Sequence, residues 1–233
     1  MIHGPSLGIG AAIASLALIA AFFGLGVVGH EPELVIEQAS PAQAPDMVTT
    51  ETFLANGSPF LGDPDAMVTL VEFGDYQCQA CSRFFHNTKD ALLEKYVNTG
   101  QVRMVFKDFN IIGPDSVTAS HGAHCANEQG LFWEYHDILY ENWTGENNGW
   151  ASAENLAGFA RDVGLDVQRW SECVETGRYS HSILASNNDA RNLLKLTGTP
   201  AFFVVGPGDK IAQIPGAQPF SVFEKTIDAH LEQ

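Results

Sequence analysis

Val68-Thr69-Leu70-Val71-Glu72-Phe73-Gly74-Asp75-Tyr76-Gln77-Cys78-Gln79-Ala80-Cys81 is the stretch that decides how this chain folds. Residues 68–73 are nearly continuous in apolar character, the pattern of a buried strand. From Cys78 the spacing changes, and Phe84, Phe85, Thr88, Leu92 and Tyr96 recur at intervals of three and four, which predicts a helix. Two thiols at i and i+3 then share one face of its first turn, where backbone N–H groups lack partners and the helix dipole is positive. A thiolate is stabilised there. Because thiol exchange runs through the thiolate, this strand, turn and CxxC helix predict a redox-active dithiol.

Downstream, 102–106 reads as a second buried strand, which with the CxxC helix completes a βαβ unit. Residues 115–196 change to helical periodicity, with breaks at 144–150, Gly164 and Gly177, and accommodate four or so helices. Residues 201–205 and 211–214 flank Gly206-Pro207-Gly208-Asp209 as the arms of a hairpin, and 222–231 is a final amphipathic helix. The predicted fold class is therefore α/β: βαβ, a helical subdomain inserted in the middle at about 115–196, then ββα.

Upstream, residues 7–28 carry no charge and no proline, and as a helix they would span about 33 Å against a hydrocarbon core of about 30 Å. The expectation for 1–30 is an N-terminal transmembrane helix acting as signal anchor, with a cleaved signal peptide as the alternative. Residues 31–57, rich in Pro, Ala, Gln, Thr and acids, read as a flexible linker with room for a short helix at 47–54, and 58–233 as the folded domain. No Lys or Arg precedes Arg83, so flanking charge says little about orientation. The cysteines say more, since a dithiol and two further cysteines suit a compartment where disulfides persist, outside the cytoplasm. The 28 acidic against 12 basic residues, a formal charge of −16, exclude nucleic acid and anionic lipid as attractive partners.

The order of elements resembles the thioredoxin superfamily, and the helical insert is similar to that of the DsbA-like thiol:disulfide oxidoreductases. The resemblance spans roughly 58–230. It is carried by Gly62-Asp63-Pro64-Asp65-Ala66 leading to Val71-Glu72-Phe73, by Cys78-Gln79-Ala80-Cys81, by Gly130-Leu131-Phe132-Trp133 with His136-Asp137, and by Thr197-Gly198-Thr199-Pro200-Ala201. It implies that Cys78 is the attacking thiol and Cys81 the buried resolving one, in agreement with the closer approach of Cys78 to the helix N-terminus. It implies a cis Thr199-Pro200 beside the CxxC, where the backbone of Thr199 pairs with an extended client; the residues alone fit an ordinary trans proline opening a strand. It also implies a carboxylic acid relaying the proton of Cys81, and Glu72 is the candidate, with Lys107 as a neighbour able to pair with it. The competing reading of Glu72 is a strand alternation that turns it to solvent.

Beyond the CxxC, Cys125 and Cys173 are expected to form a structural disulfide within the insert, against the alternatives of two buried free thiols or an exchange relay. Gln79-Ala80 departs from the Pro-His of strongly oxidising members, and Asp75 would oppose a nearby thiolate, so a weaker oxidant is expected. A zinc site would need two more soft ligands, and His121, His124 and Cys125 have a metal-compatible spacing, yet neither arrangement is favoured and no metal or cofactor is expected. The function implied is an extracytoplasmic thiol:disulfide oxidoreductase, most readily a dithiol oxidase. Its clients are reduced or misfolded proteins, and its reoxidant is a quinone-linked membrane partner of the DsbB or VKOR type. The alternatives are an isomerase or reductase of the same fold, and a copper- or zinc-binding protein using the CxxC.

Overall fold

The computed structural model describes residues 48–232. The expected membrane helix and most of the linker lie outside the described residues, among which no helix is long and apolar enough to cross a membrane. A short helix α1 (Thr50–Leu54) leads into strand β1 (Val68–Gly74). The CxxC helix follows as α2 (Gln79–Phe84), a π turn at Phe85–Lys89, α3 (Asp90–Leu92) and a second π turn at Leu93–Val97. Strand β2 (Val102–Asp108) lies parallel to β1, while β3 (Ala201–Val205) is antiparallel to β1 and to β4 (Ile211–Pro215), giving the order β2-β1-β3-β4.

Side chains alternate across a strand, and this alternation assigns every residue of β1 to a layer. Val68 and Leu70 pack with Phe202 and Val204 beneath Phe84, Leu92 and Tyr96, and beneath Phe223 and Ile227 of the last helix, Phe220–Leu231. Val71, Phe73, Val105 and Phe203 face the other way, onto Phe53 and Ala190. Glu72 shares the face of Val68 and Leu70, and it is buried at 3% exposure. The register sets Glu72 opposite Phe106 and Phe73 opposite Lys107, so Lys107 projects to the far face. The pairing of Lys107 with Glu72 is thereby excluded. Lys107 instead donates to the carbonyls of Thr52 and Ala55 and to Asp189 Oδ2, at 2.7, 2.6 and 2.8 Å.

Between β2 and β3 stand five helices, α4 (Pro114–Asn127), α5 (Phe132–Glu141), α6 (Ala153–Asp162), α7 (Val167–Glu175) and α8 (Ser180–Asn188). Gly164 and Gly177 lie just beyond the ends of α6 and α7 with φ of 85° and 59°, the left-handed geometry that closes a helix. A Cys125–Cys173 disulfide, Cα–Cα 5.8 Å, staples α4 to α7. Asp108 at the end of β2 meets His124 of α4 at 2.7 Å, tying the insert to the sheet. Burial alone would raise the Asp108 carboxyl, but the charge and hydrogen bond of His124 hold it below its ordinary value.

The linker expected through Gly57 ends earlier. Phe53 is 1% exposed with its ring 4.8 Å from that of Phe203, and Ser58 N–H donates to the Phe106 carbonyl at 2.8 Å. A side chain at Gly57 would meet Val105 Cγ1 at 2.6 Å. The physical reason is the apolar second face of the sheet, which α1 covers. Phe53→Ala should therefore lower the unfolding free energy by about 3 kcal/mol in urea titrations. No change would mean that these residues behave as a tether.

Candidate active site

Cys78 occupies the N-cap of α2, its N–H bonded to the Asp75 carbonyl and its carbonyl to the Ser82 N–H, both at 3.0 Å. Its Sγ donates to the carbonyl of Thr199 at 3.3 Å, so residues 121 positions apart in sequence meet at one point. The Thr199–Pro200 peptide bond is cis. One turn on, Cys81 is fully buried, and neither thiol is in a disulfide.

The two sulfurs have opposite acidities. The Cys78 thiol is lowered from 9.0 to about 6, first by a hydrogen bond from Cys81, against the opposing effect of burial, and further by the Thr199 side chain and the amides of Cys81 and Ala80. The Thr199 hydroxyl is buried with no other partner. Burial, the hydrogen bond with Cys78 and its negative charge push Cys81 well above 9.0. Neither Gln79 nor Ala80 ionises, so the anion owes its stability to Cys81, Thr199 and backbone amides.

Asp75 is buried as well, but its carboxylate accepts from the N–H groups of Gln77, Ile111 and Ile112 at 2.8, 2.8 and 3.0 Å. Its charge is directed at the 109–112 turn. Gln77, unremarkable in the sequence, joins the CxxC to the insert. Its side chain donates to Ser116 Oγ at 3.1 Å and accepts from Asn147 N–H at 2.8 Å, and its carbonyl accepts from Trp143 Nε1 at 2.8 Å. From this pinned loop Glu146 Oε1 accepts the Gln79 N–H at 3.1 Å. The signal that could have revealed Gln77 is a polar residue fully buried beside the dithiol, which sequence cannot show.

Behind the thiols, Glu72 has its carboxyl pushed up to about 8, chiefly by burial, with Lys89 drawing it down and the charges of Cys78 and Asp137 adding to the rise. Lys89, in the π turn after α2, is 3% exposed and ion-paired with Asp137 of α5. It falls on the apolar stripe between Phe85 and Leu92, a position where a lysine is a recognisable anomaly. The remaining residues of interest lie elsewhere. His124 is engaged by Asp108 and Cys125 by Cys173, and among the described residues no group of three His, Cys, Asp or Glu could hold a metal ion.

The thioredoxin family profile matches residues 54–229, three quarters of the chain. The chain belongs to the thioredoxin family. A probable disulfide bond formation protein D of Bacillus anthracis is 28% identical over 160 residues, covering 67% of this chain and 73% of that one. A putative protein-disulfide oxidoreductase of Rickettsia typhi is 25% identical over 183 residues, covering 76% and 66% respectively. Among solved structures, oxidised BdbD from Bacillus subtilis superposes with a TM-score of 0.69 at 22% identity, over 81% of this chain and all of that one. At that identity the likeness speaks to the fold, a thioredoxin sheet with a helical insertion. With the relatives' names, the family assigns the chain as a DsbA-like thiol:disulfide oxidoreductase.

The acidity of Cys78 carries a stability consequence. Its value in the folded protein lies below that of an ordinary thiol, so the reduced fold gains stability that is complete above pH 9 and lost as pH falls through about 6. The urea midpoint of the reduced protein, minus that of Cys78→Ala, should therefore grow between those limits. A difference independent of pH would contradict the lowered thiol.

Proposed function

We propose that this chain is an extracytoplasmic dithiol oxidase whose Cys78–Cys81 disulfide passes to pairs of cysteines in secreted or membrane proteins. The observation that carries the reading is the unequal placement of the two thiols, Cys78 at the helix N-cap against the Thr199 carbonyl and Cys81 fully buried behind it. A client thiolate attacks Cys78 Sγ, the Cys78–Cys81 bond breaks, and Cys81 leaves as a thiolate that takes up a proton. The client's second thiolate then attacks its own sulfur in the mixed disulfide, expelling Cys78 as a thiolate. Two client thiols become one disulfide, Cys81 keeps one proton and the other goes to solvent. Expulsion of Cys78 is favoured because a low-pKa thiolate is the better leaving group.

Client recognition is assigned to the edge beside the dithiol, where a groove of about 340 Å³ runs along Leu196, Thr197, Gly198, Thr199 and Pro200. The backbone of Thr199, at which Cys78 already points, offers an extended peptide its N–H and carbonyl. The uncharged stretch 7–28 supports a tethered arrangement, and reoxidation is assigned to a quinone-linked membrane partner of the DsbB or VKOR type. Glu72 is assigned as the proton relay for Cys81, and its burial beside that thiol supports the role.

A Cys78 thiol near 6 lies between the ~7 of thioredoxin and the ~3.5 of DsbA, so the Cys78–Cys81 potential should fall between about −270 and −120 mV. Equilibration with glutathione measures it, alongside oxidation of a reduced model protein. A potential at or below about −270 mV would make the chain a reductase. The Cys81→Ser variant should accumulate mixed disulfides through Cys78, and trapping only by Cys78→Ser would reverse the two roles.

A further inference from the structure

The reacting end of the CxxC helix carries a carboxylate supplied by the insert. Glu146 Oε1 accepts the Gln79 N–H at 3.1 Å, and that nitrogen is joined to the carbonyl carbon of Cys78. Glu146 and Gln79 are both exposed, whereas Cys78 shows solvent only 6% of its surface. The loop that bears Glu146 is fixed on both sides of it. Trp143 Nε1 donates to the Gln77 carbonyl and Asn147 N–H to Gln77 Oε1, each at 2.8 Å. Gly145 and Asn147 have φ of 143° and 52°, positive values that turn the chain sharply before and after the glutamate. Gly113 leaves room for this turn, since a Cβ there would collide with Asn147 Oδ1. The backbone thus sets the carboxylate beside Cys78.

Other charged groups near the dithiol are committed elsewhere. Asp75 is buried and accepts from three backbone amides, and Glu72 is buried behind the thiols. The groove along Thr199 and Pro200 is lined by one charged residue, Lys195. A second groove, of about 470 Å³, runs along Asn142, Thr144, Asn148 and Trp150 of the Glu146 loop and is lined by none. On α2 the next charge after Gln79 is Arg83, four residues and about 6 Å farther along the axis. Among these groups the exposed negative charge is that of Glu146.

We propose that Glu146 is a specificity-determining residue of the exchange site, selecting clients with Lys or Arg beside the reacting cysteine and holding off anionic thiols. The inference deepens the reading of the chain as a dithiol oxidase and rests on it. In the first exchange step a client thiolate bonds to Cys78 Sγ and is oxidised. The Cys78–Cys81 bond breaks, and Cys81 leaves reduced, as a thiolate that takes up a proton. The residues flanking the client cysteine then come within reach of the Glu146 carboxylate, which attracts an ammonium or guanidinium and repels a second carboxylate.

The test uses two dithiol peptides identical except for Lys or Glu beside each cysteine. The oxidised full chain converts them to disulfides, and quenched flow with mass spectrometry gives the second-order rate constants. Flanking charge also alters the peptides' own thiol acidity, so the quantity read is the Lys-peptide to Glu-peptide rate ratio, set against the same ratio for Glu146→Gln. Glutamine keeps an oxygen for the Gln79 N–H and removes only the charge. The wild-type ratio should exceed that of Glu146→Gln by about two- to fivefold at low ionic strength, and the excess should shrink in about 1 M salt. Glu146→Lys should bring the ratio below that of Glu146→Gln. A loosened loop would slow both peptides alike and leave the ratio unmoved. Equal ratios in the three proteins, with both peptides oxidised, overturn the inference and leave the oxidase reading standing. Oxidation of neither peptide overturns that reading, and the inference with it.

Discussion

A carboxyl group buried on the central strand, next to a thiol that must stay protonated until it reacts, is the constraint on which the rest of the site depends. An ionised carboxylate in such a place costs several kcal/mol without a partner. Glu72 accordingly sits with its acidity near neutrality, raised by burial and moderated by Lys89. That lysine is itself buried and requires an anion, which the insert supplies as Asp137. The Lys89–Asp137 ion pair thus joins the CxxC helix to α5 of the insert.

The insert holds the dithiol from the other side too. Gln77 is gripped by Ser116, Asn147 and Trp143, and Tyr140 donates to the Asp75 carbonyl at 3.3 Å. These contacts fix the turn that delivers Cys78 to the helix N-cap. Asp108 with His124 anchors α4 to the sheet, and the Cys125–Cys173 disulfide braces α4 against α7. Rigid support on both sides keeps Cys78 within reach of Thr199 while Cys81 stays out of water.

Much of the fold was legible because period and length arbitrate strand from helix. The apolar run at 68–73, the helical block and the hairpin after Pro200 are where their spacing places them, whereas the meeting of Cys78 with Thr199 was implied by the family resemblance. What escaped was whatever depends on which face a residue takes or on contacts between distant segments. Lys107 was set beside Glu72 by adjacency of strands, yet a register offset by one residue sends the two to opposite faces. Phe53 looked like part of a polar linker because one aromatic residue in such a stretch has no period. The counter-ion of Lys89 lies 48 residues away in another element, a contact that sequence spacing does not show.

Exchange at this site depends on a difference between two sulfurs three residues apart at the start of one helix. Labelling the cysteine Cβ carbons with carbon-13 and titrating the reduced protein by NMR resolves both thiols in one experiment. The Cys78 signal should move with a midpoint near 6, while Cys81 remains protonated beyond 9.0. Two thiols titrating together near 9.0 would contradict the account, because the geometry would then impose no difference between them.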